Sequence, residues 1–258
     1  MYYPQYALTT LPLREIIPGD QISTSIAKGY AMCGRFTLTA TPDELANAFP
    51  WLEIAPEAYT VPPRYNIAPS QPIAVVTNNG TNKLDYVIWG LIPFWAKDPK
   101  IGYKMINARA ETLAEKPSFK AAYKYRRCLI LSSGFYEWQK SPDSKTKIPH
   151  YIRMKAGAPF AFAGLWERWQ SPDGSEILSA AIITTEPNDL MHPIHNRMPV
   201  ILAAKDHQHW LTPGEMRPAA LSPLLAPYPN EEMQAYPVST FVNSPANDSP
   251  ICVAPLSA

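Results

Sequence analysis

The sequence predicts an α+β fold, a single domain around a curved, mostly antiparallel and barrel-like β-sheet with a few short helices. Three observations support this prediction. Short stretches rich in β-branched and aromatic residues recur at roughly even spacing between turn residues, as in antiparallel sheets. No strand–helix–strand period repeats, which argues against a parallel α/β sheet. The 258 residues include 29 prolines, about twice the ordinary share of about 5%, so long helices are not expected.

The composition fits one sizeable globular core, because 46% of the residues are hydrophobic and 17% are charged. A net charge of +1 excludes a generally basic nucleic-acid coat but allows a local basic groove. Three widely spaced cysteines without a CxxC pair argue against a disulfide scaffold and a structural zinc site. No apolar run approaches the ~20 residues of a membrane span. We therefore expect a reduced, cytoplasmic protein.

Residues 1–31 mix tyrosine, proline and scattered apolar residues without helical or strand periodicity. They also lack the basic and apolar regions of a secretory signal. We interpret them as an N-terminal extension that is removed, or that precedes a true start at Met32. No internal repeat or linker divides residues 32–258, which are expected to form one domain.

The predicted elements follow from local signals. Thr41-Pro42-Asp43-Glu44 has the capping-box pattern and begins a short helix that ends near Pro50. Five prolines between residues 56 and 72 favour a shaped surface loop. Asn78-Asn79-Gly80 is a hairpin signal between two strands. The other predicted helices cover residues 118–124, 204–211 and 219–225. The predicted strands cover residues 35–39, 73–77, 84–89, 128–132, 135–139, 151–154, 160–165, 180–184 and 198–202.

The dipeptide Met32-Cys33 has the form of a protein start. Removal of Met32 would leave Cys33 with a thiol of pKa about 8.5 and an α-amine of pKa about 7.7–8.0. These two nucleophiles can capture an aldehyde, the amine as a Schiff base and the thiol by closing a five-membered ring. Within a peptide bond Cys33 keeps only the thiol. Arg35, two residues later, could lower the pKa of this thiol and hold a phosphate.

Two titratable residues stand in apolar or aromatic surroundings. Glu137 lies between two aromatic residues, where desolvation would raise its pKa and suit it to proton transfer; alternatively, it points outward from an alternating strand. His195 is of the residue type best suited to acid–base chemistry near neutral pH, or it is a structural hydrogen-bonding residue. His192 could pair with it on a metal, but Pro193 disrupts the helix that would align both rings. No metal or cofactor is expected.

Other polar and aromatic residues could bind a substrate. Asn107 and Arg109 would project to the same side of an extended segment. The amide could orient a sugar or aldehyde oxygen and the guanidinium could clamp a phosphate, or the two are a turn residue and a surface charge. Phe94 and Trp95 could stack on bases of a single strand, or they cap the core. The Arg126-Arg127 pair adds cations, or forms a solvated edge.

Six short motifs occur in a fixed order along the chain. They are Met32-Cys33-Gly34-Arg35-Phe36, Arg64-Tyr65-Asn66-Ile67-Ala68-Pro69, Trp89-Gly90-Leu91-Ile92-Pro93, Ile106-Asn107-Ala108-Arg109-Ala110-Glu111-Thr112, Gly134-Phe135-Tyr136-Glu137-Trp138 and Ile194-His195-Asn196-Arg197-Met198-Pro199. Together they resemble the SRAP family, the SOS-response-associated peptidase proteins, from Met32 to about Leu256. The resemblance implies recognition of abasic sites in single-stranded DNA and a covalent crosslink to them through an N-terminal cysteine.

The resemblance also implies a role for each matching residue. Cys33 would be the nucleophile and form a thiazolidine with the ring-opened sugar. Asn107 would hold the sugar or the cysteine amine, and Glu137 would transfer protons during imine formation and ring closure. His195 would assist sugar ring opening and crosslink reversal. The implied DNA-binding residues are Arg35, Asn66, Pro69, Phe94, Trp95, Arg109 and Arg127. The arginines would hold phosphates. A bent strand would be shaped by Pro69 and by the Phe94-Trp95 pair. This pair stands where a bacterial member has two tryptophans.

Two other functions remain open at this point. Cys33, Glu137 and His195 could form the hydrolytic set of a thiol peptidase, either a general one or one that cleaves only its own chain before Cys33. Alternatively, the protein is a non-catalytic single-strand binding module with equal affinity for intact and abasic strands. In each case we expect a monomer that does not bind membranes.

Overall fold

The computed structural model describes residues 33–140 and 146–256; the predicted extension over residues 1–31 lies outside them. These residues form thirteen strands and four short α-helices, joined by 3-10 turns. The helices are α1 (Pro42–Ala48), α2 (Pro117–Tyr125), α3 (His207–Trp210) and α4 (Pro218–Leu221). The strands are β1 (Phe36–Leu38), β2 (Arg64–Ile67), β3 (Pro72–Thr77), β4 (Asp85–Trp89), β5 (Asn107–Arg109), β6 (Arg127–Ser132), β7 (Gly134–Lys140), β8 (Lys147–Met154), β9 (Phe160–Gln170), β10 (Glu176–Thr185), β11 (Met198–Pro199), β12 (Ile201–Leu202) and β13 (Met233–Pro237).

Five of the strands close into a barrel. In the order β4–β3–β6–β9–β10 each strand pairs antiparallel with the next, and β10 closes the ring by pairing parallel with β4. Three short strands extend this sheet, with β5 and β11 on β10 and β12 on β9. A second, antiparallel sheet has the order β13–β8–β7–β1–β2. The predicted α+β class with a curved, barrel-like sheet is confirmed.

Both faces of the barrel strands are covered. On β3, Ile73 and Val75 belong to a buried cluster that includes Phe36 of the second sheet. The intervening residues Ala74 and Val76 belong to another cluster that includes Leu45 of helix α1. This alternation follows from the two-residue period of a strand. It explains why the barrel strands read as continuous apolar runs. Within the described residues, no helix has the length and apolar character needed to cross a membrane.

The local signals specified several elements correctly. The Thr41 hydroxyl accepts a hydrogen bond from the Glu44 N–H, and the Glu44 carboxylate accepts one from the Thr41 N–H, so the predicted capping box is present. Strands β3 and β4 form the predicted antiparallel hairpin. The proline-rich stretch 56–72 was predicted as loop only, but it contains β2. That strand forms because it pairs with β1, where Ile67 lies opposite Phe36.

The strand order determines where the candidate catalytic residues lie. Strand β1 pairs with β7, and the Tyr136 N–H donates to the Arg35 carbonyl at 2.9 Å. The residues just before β1 therefore run beside Glu137. On the other sheet, β10 ends between β5 and β11, with Thr184 opposite Arg109 and Thr185 opposite Met198. The Asn107 and His195 motifs are consequently brought to the same end of β10.

Candidate active site

The backbone of Cys33 places its nitrogen against Glu137. Cys33 has φ of 42°, a left-handed conformation that is uncommon for a residue with a side chain. Its backbone nitrogen donates to Glu137 Oε1 at 2.6 Å. Both residues are buried, with 3% and 2% of their surfaces exposed. The predicted nucleophile and the predicted proton-transfer residue are thus in direct contact, and the alternative of an outward-facing Glu137 is wrong.

Burial dominates the electrostatics of this pair. It raises the pKa of Glu137, while the charge of His195 and hydrogen bonds from Cys33 oppose the increase. Burial also raises the pKa of the Cys33 thiol well above its usual range, and the charge of Glu137 and a hydrogen bond to it add to the effect. Arg197 is the cation that partly offsets it. The thiol is therefore protonated at neutral pH, and the nearby arginine that acts on it is Arg197, not the predicted Arg35.

His195 is held in a defined orientation by its own loop. His195 Nδ1 lies 3.2 Å from the Arg197 backbone nitrogen and 3.4 Å from the Arg197 carbonyl oxygen, so the Arg197 backbone orients the ring. The effect of His195 on the pKa of Glu137 shows that the two side chains are close enough to interact. Among the residues that the structure describes, no group of three or more His, Cys, Asp or Glu side chains could hold a metal ion.

An ion pair that sequence reasoning missed links the two motifs at the end of β10. The Arg197 guanidinium donates to both carboxylate oxygens of Glu111, at 2.5 and 2.9 Å. It also donates to the Thr184 carbonyl at 2.7 Å. The hydrogen bond from Arg197 is the main reason that the pKa of Glu111 is lowered. Glu111 lies two positions after Arg109, and Arg197 lies two positions after His195, each within one of the six motifs. Their place in these motifs was the sequence signal that could have identified them.

Strand β5 presents Asn107 and Arg109 on one face, as predicted. Ala108 between them is buried, whereas Asn107 is half-buried and Arg109 is exposed. Arg109 is therefore available to a ligand at the surface, while Asn107 lies deeper on the same side.

The aromatic pair is on the surface. Phe94 is 59% exposed and Trp95 is 48% exposed, and Pro69 is half-buried. Large exposed aromatic side chains do not cap a core, so that alternative is wrong for Phe94 and Trp95. Their flat faces are available for stacking.

Asn66 has a different position from the one its predicted DNA contact requires. It is fully buried, and its Oδ1 accepts from the Arg35 guanidinium at 2.7 Å. Its Nδ2 donates to the carbonyls of Val242, Ser244 and Asn247 at 3.1, 2.9 and 2.6 Å. All of its hydrogen-bonding capacity serves the fold, and it ties the C-terminal segment to β2. A direct contact between Asn66 and DNA does not fit this position.

Arg127 is likewise an interior residue. It is fully buried, and its guanidinium donates to backbone carbonyls alone. The accepting residues are Tyr123, Lys124, Trp210, Thr212 and Gly214. Burial lowers the pKa of Arg127 to about 10, so it stays charged at neutral pH. The predicted phosphate contact and the alternative of a solvated edge are both wrong for Arg127, which joins the α2 end to the segment after α3.

Replacing Arg127 should therefore reduce stability. In Arg127→Met the five carbonyls lose a charged donor, and we expect a loss of about 3 kcal/mol in the free energy of unfolding, measured by urea denaturation. Arg168→Met is the control, because its ion pair with Glu176 is exposed and should contribute only ~0.5 kcal/mol. An Arg127→Met protein of normal stability with weakened, less salt-sensitive DNA binding would restore the phosphate role.

Comparison with known proteins tests the predicted family membership independently. The family model described as SOS response associated peptidase (SRAP) matches residues 32–245. The chain belongs to the SRAP family. The resemblance predicted from the six motifs is thereby confirmed, and Cys33, Asn107, Glu137 and His195 all lie within the SRAP match.

Relatives of this SRAP chain include both bacterial and vertebrate proteins. It is 51% identical over 220 residues to the abasic site processing protein YoqW of Bacillus subtilis, across 85% of this chain and 97% of that protein. It is 33% identical over 267 residues to the abasic site processing protein HMCES of Xenopus tropicalis, across 86% of this chain and 78% of that protein. A crystal structure of a Bacteroides thetaiotaomicron protein matches with a TM-score of 0.77 and 29% identity, across 87% of this chain and all of that one.

Proposed function

We propose that this SRAP protein processes abasic sites in single-stranded DNA by forming a thiazolidine crosslink through Cys33. The proposal requires that Met32 and any residues before it have been removed, which exposes the α-amine. The observation that carries it is the 2.6 Å contact between the Cys33 nitrogen and the buried Glu137 carboxylate. Two relatives with 51% and 33% identity are named abasic site processing proteins, which supports the same substrate.

The chemistry uses both nucleophiles of an exposed Cys33. The amine attacks the aldehyde carbon of the ring-opened sugar and gives a carbinolamine, which loses water to form an imine. The thiol then adds to the imine carbon and closes the five-membered ring, with its proton passing to the imine nitrogen. The net change is loss of one water, and no oxidant or cofactor takes part.

Glu137 lies where these protons move. Its carboxylate can take a proton from the attacking amine and give one to the departing hydroxyl, because it contacts the nitrogen itself. Its raised pKa makes the protonated form accessible in the working pH range. The raised pKa of the thiol keeps the sulfur protonated until Glu137 can accept that proton during ring closure.

The remaining residues at the site would orient the sugar. With Nδ1 held by the Arg197 backbone, His195 would use Nε2 to move a proton between the C1′ hydroxyl and the ring oxygen, which opens the sugar. Asn107, half-buried on β5, would hold the sugar or the cysteine amine. The Glu111–Arg197 ion pair would hold the segment that contains Asn107 and the loop that contains His195 in a fixed position relative to each other.

Strand binding would depend on the exposed residues Arg109, Phe94 and Trp95 and on the half-buried Arg35 and Pro69. Arg109 and Arg35 would contact phosphates, and Phe94, Trp95 and Pro69 would stack on or wedge between unpaired bases. Such binding is salt-sensitive and largely independent of sequence. Asn66 and Arg127 are left out because both are buried. This substrate would place the protein in the cytoplasm, on the nucleoid when it is bound to DNA.

The test is adduct formation with a defined oligonucleotide. Protein that begins at Cys33 should form an SDS-stable adduct with a single strand carrying one abasic site, and none with the intact strand. Cys33→Ala should form no adduct while still binding the strand. An undiminished adduct in Cys33→Ala would overturn the proposal. Equal affinity for both strands without any adduct would instead support the non-catalytic binding module.

Self-processing is a second candidate activity, and one observation favours it. Glu137 contacts the nitrogen of the Met32–Cys33 peptide bond, where it could protonate the leaving amine if that bond is cleaved. We expect Glu137→Ala to retain the residues before Cys33 after expression, as measured by intact mass. Unchanged maturation in this variant would show that another agent exposes the amine.

A further inference from the structure

The exposed aromatic pair lies on a loop, residues 90–105, whose two ends are pressed together. Gly90 has φ of 130°, and a Cβ there would lie 2.6 Å from the Gly102 carbonyl oxygen. A Cβ on Gly102 would lie 2.7 Å from the Gly90 carbonyl oxygen. The Leu91 N–H also donates to the Met105 carbonyl at 3.1 Å. A side chain at either glycine would clash with the carbonyl of the other and separate the two ends of the loop. Because these ends are in contact, the loop leaves and re-enters the barrel at one place.

The underside of the loop has a small core of its own. Ile92 and Ala96 are buried against Trp169 of β9, in a cluster separate from the main core. The indole N–H of Trp169 donates to the Ala96 carbonyl at 2.7 Å, in a buried position. Ile92 is fixed as well, since its N–H donates to the Ser179 Oγ of β10 at 2.8 Å.

These two hydrogen bonds lie on either side of the exposed pair. Ile92 comes two residues before Phe94, and Ala96 follows Trp95 directly, so the backbone is anchored to the barrel at both points. The backbone is therefore hydrogen-bonded to the barrel just before and just after its most exposed side chains.

We propose that Trp169 and Ser179 are positioning residues for DNA, which hold Phe94 and Trp95 ready to stack on the unpaired bases beside the abasic site. The inference rests on the proposed function and extends it to two buried residues that do not touch the strand. A loop that is already ordered loses little conformational entropy on binding, so its contacts contribute more fully to affinity. Without these anchors the strand itself would have to order the loop.

The first test is Trp169→Phe, which keeps an aromatic ring in the small core but removes the N–H donor. We expect the concentration of abasic strand that gives half-maximal adduct formation to rise about fivefold, the usual effect of one buried neutral hydrogen bond. The rate at saturating strand should not change, because the reacting groups are untouched. Trp166→Phe is the matched control: it lies on the same strand and its N–H donates to Asn78 Oδ1 at 3.1 Å, away from the loop. It should leave the half-saturating concentration as in the wild type.

A double mutant separates positioning from a general loss of structure. In a Trp95→Ala background, Trp169→Phe should cause much less further change, because Trp169 anchors Ala96 beside Trp95 and that ring is gone. If the two effects multiply in full, Trp169 does not act through the loop and the inference is wrong. Ser179→Ala, which removes the acceptor for the Ile92 N–H, should reproduce the effect, and it carries the test if thermal unfolding shows that Trp169→Phe does not fold.

The inference and the proposed function can fail separately. If the wild type forms the adduct and both anchor variants have the wild-type half-saturating concentration, only the inference fails. If the wild type forms no adduct, the proposed function fails. The anchors are then tested by non-covalent binding of an intact single strand containing 2-aminopurine, whose fluorescence reports stacking. Unchanged stacking in both variants would overturn the inference there as well.

Discussion

Protein that begins at Cys33 is expected to crosslink an abasic strand, whereas protein that retains residues 1–32 is expected to form no crosslink. A peptide nitrogen has no available lone pair for imine formation, and a thiol alone gives only a reversible hemithioacetal. The measurement is intact mass after denaturation, which should show the mass of protein plus strand less one water. This is the largest effect that we predict, an all-or-none difference.

A form with a single alanine before Cys33 is the matched control, because it differs from the active form by one peptide bond. It should bind single-stranded DNA but not crosslink to it. A stable adduct from this blocked form would exclude the thiazolidine and require a bond made by the thiol alone.

Glu137→Gln should reduce the rate of crosslinking by about 10²- to 10⁴-fold, since the amide cannot exchange protons with the amine and the thiol. The amide oxygen can still accept the hydrogen bond that Glu137 Oε1 receives from the Cys33 nitrogen, so the geometry should be preserved. Single-turnover rates across a pH series measure the effect, and the limb that reports Glu137 ionisation should disappear. A full rate with an unchanged profile would show that Glu137 is only structural.

The same substitution should stabilise the protein at neutral pH. The pKa of Glu137 is raised on folding, so its contribution to stability is present at acid pH and is lost as pH rises through the folded-state pKa. Glu137→Gln removes this loss. Glu111→Gln is the contrasting control: the pKa of Glu111 is lowered, so its contribution exists at neutral pH and is lost on acidification. At neutral pH, thermal unfolding should therefore place Glu137→Gln above the wild type and Glu111→Gln below it, and both differences should shrink at acid pH.

The sequence predicted the elements whose signals are local. The capping box of α1 and the β3–β4 hairpin depend on a few neighbouring residues, and both were correct. Strand β2 was missed because the prolines on either side of it argue against a strand, and it forms through its pairing with β1. Strand β9 extends to Gln170, whereas the predicted strand ended at residue 165. The prediction was too short because the charged residues in the second half of β9 interrupt the apolar pattern.

The site residues divide in a similar way. Cys33 and Glu137 were recognised from residue type and motif, and the structure brings them into contact. Arg127 and Asn66 were misassigned because sequence reveals that a group is polar but not that backbone carbonyls from distant segments surround it. Trp169 gave no signal in the sequence, because the loop that it contacts lies far earlier in the chain. Its hydrogen bond to the Ala96 carbonyl spans 73 positions. Such roles follow from tertiary contacts alone.

The hydrogen bonds from Asn66 to the C-terminal segment have a consequence for when the residues before Cys33 are removed. Asn66 and Val242 are 176 positions apart, and a contact of such high sequence separation forms late, after the intervening chain has been made. During synthesis the sheet that carries β1 and β2 therefore lacks the Asn66 contacts until the C-terminal segment has been made. An aminothiol exposed at that stage would react with any free aldehyde in the cell. Under the proposed function, exposure of the Cys33 amine is therefore best timed after the C-terminal segment has joined the sheet.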